Sequence, residues 1–314
     1  MKPLLVLSLF CCSLFADGYV FCYHRFDDPK PKHKAMNISS EKFTEHLNYL
    51  SSNGYKMEPL SKVVANVKSK KPYREKTATI TVDDAYKSFY DHAFPILKAK
   101  KIPFTLFVYV EAIKGGYKDF MTWEQIKEVA KYGEIGLHSY AHKDLTKMSP
   151  EELQKDTADS FEIFTKMTGQ KPKYYAYPFG HYNKAVQAKI KSFGFESIVT
   201  VDAGAVNENS DVFSLERIAM SGNDDFKLAL GVKPLDVSME KVAIKDGQWV
   251  IKGNVQNFDK KEIKLYVNKK DKRVLELNNS SFETLIDPSK INSKQKLIFS
   301  TDDHRYRAKL IEKD

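Results

Sequence analysis

The sequence predicts an α/β chain: a parallel sheet, open or closed into a barrel, followed by a small β-sandwich. Three observations carry that expectation. Between about residues 18 and 232, short apolar runs alternate with amphipathic segments, strand then helix, over and over. After about residue 235 the texture changes to alternating runs broken by turn residues, with no convincing helix. At 314 residues and 42% hydrophobic content, the chain is long enough for one large core and a second, smaller one.

The elements follow in order. "YVFCYH" (19–24) reads as a strand. "SSEKFTEHLNYLSSNG" (39–54) reads as a helix capped by Ser39 or Ser40, with a Phe43, Leu47, Leu50 stripe and a stop at Gly54. "TATITV" (77–82) is a β-branched strand, and "YDHAFPILKAK" (90–100) a helix. "FTLFVYV" (104–110) is a strand, followed by the capped helix "TWEQIKEVAKYG" (122–133). "EIGLHS" (134–139) is a strand. The helix after it, 149–169, has a Ser149 cap, Pro150 at its first position and Gly169 past its end. "YYAYPFG" (174–180), "NKAVQAKIKSFG" (183–194) and "ESIVTV" (196–201) complete the series as strand, helix and strand. "KVAIKDGQWVIKGNVQNFD", "EIKLYVN", "RVLELN" and "QKLIFSTD" then supply an immunoglobulin-like sandwich. The boundary falls near 233–238 with Pro234 in the linker, giving expected units 17–234 and 235–314.

The N-terminus, "MKPLLVLSLFCCSLFADGY", has a basic Lys2, an apolar run from Leu4 to Phe15 too short to span a bilayer, and a cleavage point at Ala16. It reads as a secretory signal over 1–16, which directs the chain to a periplasm or outside the cell. Leu14, three residues before the cut, is bulkier than usual there. Removing the segment takes away two of the three cysteines and leaves Cys22, so the mature chain has no internal disulfide. The formal charge of +9 drops by the one unit of Lys2. The basic residues are scattered, and no nucleic-acid motif is present. Mild attraction to anionic envelope polymers is the functional reading of that charge, solubility the plain one.

The strand ends hold the chemistry. The first expected strand ends in His24, the 77–82 strand in Asp83–Asp84, and "EIGLHS" in His138, with His142 four residues on. "YYAYPFG" ends in Tyr177, Pro178, Phe179 and Gly180. In parallel α/β folds, ligands sit at the carboxyl ends of the strands. Two adjacent carboxylates closing a buried strand repel each other unless a cation neutralises one. Two imidazoles and a carboxylate form a divalent-metal set. Singly, an H-x3-H pair or an Asp–Asp pair is weak, and Asp27–Asp28, Asp224–Asp225 and Asp302–Asp303 recur elsewhere. Only Asp83–Asp84 closes a strand of the α/β region.

"TVDDAY", "HSYAH" and "YAYPFG", in that order, resemble the first three motifs of the polysaccharide deacetylase family (NodB-homology, carbohydrate esterase family 4). "YHRF" followed by "NGYKMEPL" resembles the branch with an early Tyr-His pair, as in the poly-N-acetylglucosamine deacetylases. The resemblance covers roughly 19–230. It implies a distorted (β/α) barrel of the NodB-homology type with fewer than eight full units, here with the small C-terminal β-sandwich. It implies Asp83 as general base and Asp84, His138 and His142 as ligands of a divalent metal, zinc by preference. The metal activates water and polarises the acyl carbonyl. The Phe179 N–H in the Pro-Phe-Gly turn is a candidate oxyanion donor, and His24 the candidate general acid. Tyr177, Pro178, Phe179, Gly180 and Tyr182 are candidate substrate contacts. The implied partner is an N-acetylglucosamine glycan, exopolysaccharide or peptidoglycan, and the C-terminal unit is a candidate for glycan or envelope contact.

Three departures from the family pattern stand out. Ala85 occupies a position commonly Gly. Ala176 replaces a motif arginine that elsewhere orients the base, and Arg217 in "SLERIAM" is a candidate substitute, although a strand-end arginine is more often a surface or salt-bridge residue. The late Leu-x-His motif is missing, with "LERI" roughly in its place, which favours His24 as acid. Plain readings apply to His46 (surface), His92 (solvated or supporting its helix), Cys22 (core) and Trp249 (sandwich core). His181 is a minor candidate for substrate contact, and Trp123 lines a sugar groove or packs. Three readings compete: a metal-dependent de-N-acetylase; the same site acting on an O-acetyl ester or small amide; and a non-catalytic carbohydrate-binding envelope protein.

Overall fold

The computed structural model of the chain describes residues 18–268, 270–291 and 296–311. The expected signal segment, with Cys11 and Cys12, lies outside these residues. Seven strands form a parallel half-barrel: β1 (Gly18–Tyr23), β2 (Thr77–Val82), β3 (Phe104–Val108), β4 (Glu134–Leu137), β5 (Tyr174–Ala176), β6 (Ser197–Val199) and β7 (Ile218–Ala219). Their order is β7-β1-β2-β3-β4-β5-β6. A short stretch, Lys56–Met57, pairs parallel with the start of β2. This is the distorted (β/α) barrel that the motifs imply.

Strands buried on both faces need continuous apolar or β-branched runs. β1 and β2 are buried at every position, as "GYVFCY" and "TATITV" require. Their register sets the site. Tyr23 pairs with Val82, so His24 and Asp83 leave the sheet side by side. Val108 pairs with Leu137 and Leu137 with Tyr175, which brings His138 and Ala176 to the same edge. Single bridges from Leu215 to Val199 and from Val206 to Gly18 carry the chain across the open side between β6 and β1.

The helices wrap the outside. In α1 (Ser40–Ser52), Ser39 caps by accepting from Lys42 N. α2 (Leu60–Lys68) was not expected from the sequence: its N-cap is Pro59, with no capping side chain, and three valines dilute its helical signal. The helix expected over 90–100 is α3 (Phe94–Lys100) preceded by a π turn, Phe89–Ala93. Pro95 has no N–H to continue a regular ladder through that turn. α4 (Trp123–Val129) and α5 (Pro150–Thr168) both start with reciprocal capping boxes, Thr122 with Gln125 and Ser149 with Glu152. α5 stops at Gly169, whose φ of 76° suits a residue without Cβ. α6 (Lys184–Lys191) is capped by Asn183. Trp123 is buried in the main core, which decides for packing over a sugar groove.

His46 corrects the sequence reading. It is buried on α1, stacked on Phe226 at 4.0 Å, and its Nδ1 lies 3.1 Å from the Tyr23 hydroxyl. Burial lowers its pKa to about 4, with Lys42 lowering it further and Asp224 opposing.

From residue 233 the chain forms two further sheets. The strands are β8 (Asp236–Lys245), β9 (Gln248–Gln256), β10 (Glu262–Tyr266), β11 (Lys272–Glu276), β12 (Ser281–Ile286), β13 (Lys296–Ser300) and β14 (Arg305–Leu310). One sheet is β8-β9-β12; the other runs β14-β13-β10-β11, with Lys233–Pro234 paired parallel to β14. Pro234 thus sits in a short strand instead of a free linker. Trp249, Ile251 and Phe282 from one sheet pack with Leu265, Leu297 and Phe299 from the other. No helix among the described residues is long and apolar enough to cross a membrane.

Candidate active site

The carboxyl ends of β1, β2, β4 and β5 open onto one cavity of about 710 Å³. His24, Asp83, Asp84, His138, His142, Tyr177, Phe179 and Gly180 all line it. A cavity of equal volume near Tyr73 lies by the amino end of β2 and has no imidazole.

The backbone is bent where the side chains converge. Asp84 (φ 72°), Ala85 (φ 60°), Ser139 (φ 64°), His142 (φ 49°) and Phe179 (φ 58°) are left-handed without being glycine. Such residues cost free energy and persist where their surroundings over-determine them, commonly at functional sites. The left-handed φ at Ala85 accounts for the glycine more usual there, and alanine is the smallest side chain that bears it. His142 N–H donates to Ser139 Oγ at 2.9 Å. A residue that sequence reasoning missed supports this loop: Asp156, buried on α5, accepts from Tyr140 N and Ala141 N at 3.1 and 2.9 Å. One carboxylate among the five of an amphipathic helix carries no sequence signal of such a role.

Asp83 is fully clamped. Arg217 enters from the residue before β7 and is completely buried. Its Nη1 and Nη2 donate to Asp83 Oδ1 and Oδ2 at 2.8 and 2.7 Å. Its Nε donates to Thr200 O at 2.6 Å, and Nη1 also to Thr81 Oγ1 at 3.0 Å. The candidate substitute for the arginine missing at Ala176 is therefore in contact with the base position, 134 residues away in sequence. Burial alone would raise the Asp83 pKa, but the guanidinium, with His138, holds the carboxyl well below the usual range. Cys22 Sγ lies 3.4 Å from Asp83 Oδ2. Arg217 and Cys22 thus fill three of the carboxylate's roughly four lone-pair positions and leave one acceptor position.

Asp84 faces two imidazoles instead. His138 Nε2 and His142 Nε2 lie 3.4 and 3.1 Å from Asp84 Oδ1. That oxygen is buried and makes no aligned hydrogen bond. His138 Nδ1 lies 2.7 Å from Ala176 O, which fixes its proton there and leaves the Nε2 lone pair toward Asp84. Burial would raise Asp84, yet the two histidines bring it to about 2. His138 is lowered by burial to about 4, and His142 is raised by Asp84 against its burial. The three donor atoms lie within 4.8 Å of one another. An anionic oxygen without a donor, faced by two imidazole nitrogens, suits a divalent cation. A second group, Cys22, His24 and Asp83, is equally close-set. It fits a metal poorly, because Asp83 is committed to Arg217 and burial drives the Cys22 thiol well up, away from thiolate.

Three candidate contacts fall outside the cavity. Tyr182 is buried, stacked on Tyr177 at 4.8 Å, and donates to Asp202 Oδ2 at 2.9 Å. Pro178 is buried within its turn and does not line the cavity. His181 lies beside Asp144 at 2.9 Å and does not line it either. Phe179 is 54% exposed and meets His142 edge-on at 4.6 Å, so it forms part of the rim. Met36, Met220 and Asp224 also line the cavity, from segments that the motifs do not reach.

The polysaccharide deacetylase family profile matches residues 70–198, which contain Asp83, Asp84, His138, His142 and the Pro-Phe-Gly turn. YxkH of Bacillus subtilis (strain 168), named within that family, is 31% identical over 189 residues, 60% of this chain and 67% of its own. The poly-beta-1,6-N-acetyl-D-glucosamine N-deacetylase of Escherichia coli (strain K12) is 22% identical over 294 residues. This chain spans less than half of that relative, 43%. Among solved structures, IcaB from Ammonifex degensii superposes with a TM-score of 0.60 at 27% identity, over 68% of this chain and 96% of that one. With motif order, half-barrel and site geometry in agreement with these likenesses, the chain belongs to the polysaccharide deacetylase family.

Proposed function

We propose that this chain is an exported, metal-dependent de-N-acetylase that hydrolyses acetamido groups of an N-acetylglucosamine-containing glycan. One observation carries the proposal: Asp84, His138 and His142 converge beside the Arg217-clamped Asp83 on one cavity. Poly-N-acetylglucosamine as substrate is supported by the names of its relatives. The division into units 17–234 and 235–314, with the hydrolytic site in the first, is part of the same reading.

Asp84, His138 and His142 would hold the cation, zinc by their carboxylate and imidazole donors. A divalent ion there lowers the pKa of water and polarises an acyl carbonyl. Asp83 is kept ionised by Arg217 and accepts the proton of the attacking water at its remaining acceptor position. The Phe179 N–H donates to the carbonyl oxygen as negative charge grows on it, a contribution typically worth about 10²–10³ in rate. His24, beside Asp83 on the cavity wall, protonates the leaving amine. Water's oxygen first joins the carbonyl carbon; the C–N bond then breaks as the carbonyl re-forms, giving acetate and a free amino sugar.

The competing non-catalytic reading rested on Ala85, Ala176 and the missing late histidine. Arg217 on Asp83 supports hydrolysis instead, because it answers the loss at Ala176. The test is acetate release from N-acetylglucosamine oligomers by the zinc-loaded chain. Asp83→Asn is expected to lower the rate by about 10²–10⁴-fold and His24→Ala by a similar factor. Full activity in Asp83→Asn, or no release by the unaltered protein, would refute it.

A further inference from the structure

The C-terminal β-sandwich reaches into the barrel through a buried lysine. Lys296, the first residue of β13, is only 8% exposed. Its Nζ lies 2.5 Å from Asp202 Oδ1 and 3.5 Å from Gly180 O, and it sits over the Tyr182 ring at 4.3 Å. None of these partners belongs to the sandwich. Burying an ammonium is costly unless it is paired and hydrogen-bonded, so its place is set by what it binds.

What it binds is a junction between two walls of the cavity. Asp202 Oδ2 accepts from the Tyr182 hydroxyl at 2.9 Å, and Tyr182 stacks on Tyr177 at an interplanar angle of 5°. This fixes both flanks of the Phe179–Gly180 turn. Gly180 is left-handed, and a Cβ there would come within 2.2 Å of Val201 Cγ2, so the turn lies directly on the residue before Asp202. On the other side, Asp202 O accepts from Arg217 N–H at 3.2 Å, and Arg217 holds Asp83. One carboxylate residue therefore touches the segment carrying the Phe179 N–H and the segment carrying the base-holding arginine. Lys296 supplies its counter-charge.

We infer that Lys296 is a positioning residue for the hydrolysis: from the sandwich, it fixes through Asp202 the turn that presents the Phe179 N–H. The sandwich is in this respect part of the active centre. The inference rests on the proposed hydrolytic reading for its kinetic consequence, but not for its structural one. A turn that is misplaced weakens an interaction made chiefly in the transition state, so kcat should suffer more than KM.

The test uses the full zinc-loaded chain carrying Lys296→Met or Lys296→Arg, with rates per folded molecule on a β-linked N-acetylglucosamine pentamer. Lys296→Met is expected to lower kcat about 10- to 100-fold with KM within about two-fold, and Lys296→Arg to recover most of the loss. In parallel, fluorophenylalanine labelling reports the turn by ¹⁹F resonance, the Phe179 signal being assigned by its loss in Phe179→Leu. That signal is expected to shift or broaden in Lys296→Met, while the Phe282 signal of the sandwich core stays in place. Should Lys296→Met not fold, the Lys296→Met/Asp202→Asn pair, which leaves no buried charge alone, is measured in its stead with the same expectation. An unmoved Phe179 signal overturns the inference, whether or not the rate falls. So does a wild-type kcat in a variant that has merely lost thermal stability. If the unaltered protein releases no acetate, the hydrolytic reading fails separately and the ¹⁹F signal alone decides.

Discussion

The carboxyl end of the half-barrel and the core of the C-terminal sandwich are built on opposite terms. The sandwich packs Trp249, Ile251, Leu265, Phe282 and Phe299 against one another, a core of apolar surface with no demand for partners. The barrel end buries Asp83, Asp84, His138 and Arg217 within a few ångströms. It also holds five non-glycine residues at positive φ. Buried charge and backbone strain are both destabilising in isolation, and the surrounding strands and helices offset them. The lesson is where each kind of residue is tolerated. A core that only stabilises avoids ionisable groups, whereas a site that must move protons concentrates them where parallel strands end.

Substitutions that strike each region in turn can break this contrast. The largest effect is expected from Arg217→Met, which leaves Asp83 buried without its counter-charge. Stability should fall by about 3–5 kcal/mol, and acetate release per folded molecule by at least about 100-fold, read by denaturant melts and initial rates. Trp249→Phe is its counterpart in the sandwich. It should cost about 1–2 kcal/mol and leave the rate per folded molecule within two-fold. Equal catalytic losses from the two would dissolve the contrast.

An intermediate effect is expected from His46, a buried imidazole outside the metal set. Its folded pKa of about 4 lies below the ordinary value of 6.5, through burial first and Lys42 second. As pH falls below about 6.5, the unfolded chain takes up the proton before the folded one does. Stability is therefore complete above that pH, is lost between about 6.5 and 4, and levels off below. The loss should be on the order of 3 kcal/mol. Melting temperatures from pH 7.5 to 4 should fall more steeply for the unaltered chain than for His46→Gln; parallel curves would contradict the assignment.

The smallest effect is expected at Ala85. Glycine there relieves a left-handed alanine, about 1–2 kcal/mol. It loses about 0.5–1 kcal/mol to unfolded-state entropy and about 0.8 kcal/mol of methyl burial. The terms nearly cancel, so Ala85→Gly should melt within about 2 °C of the unaltered chain at an unchanged rate. A large gain in either would mean that the strain at this turn is costlier than its neighbours suggest.

Much of this arrangement was legible in the sequence because local rules suffice for it. β-branched runs ending in Asp83–Asp84 and His138 mark strand ends, and parallel topology brings strand ends together. Ser149, Pro150 and Gly169 bracket α5 as capping chemistry requires. What was not legible depends on distance in space. Arg217 is a candidate partner of Asp83 in the sequence only because the motif arginine is missing at Ala176; the two are 134 residues apart, and nothing near Arg217 announces a buried carboxylate. His46 was misread although its spacing from Phe43 and Leu50 places it along the buried stripe; polarity outweighed periodicity in that reading. Tyr182 is a candidate substrate contact in the sequence because it follows the Pro-Phe-Gly turn, but the turn's left-handed residues redirect the chain inward. β12 and β14 escaped notice because "SFETLI" and "RYRAKL" are heavily polar on one face.

The central claim is that the ends of β2 and β4 hold a divalent metal that the chemistry depends on. The most direct measurement is calorimetric titration of zinc into the metal-stripped full chain, with His138→Ala and Asp84→Asn alongside. The account predicts one equivalent per chain for the unaltered protein and affinity weakened by at least about 100-fold in each variant. Zinc binding that is absent from the unaltered chain, or that survives both substitutions undiminished, would contradict it.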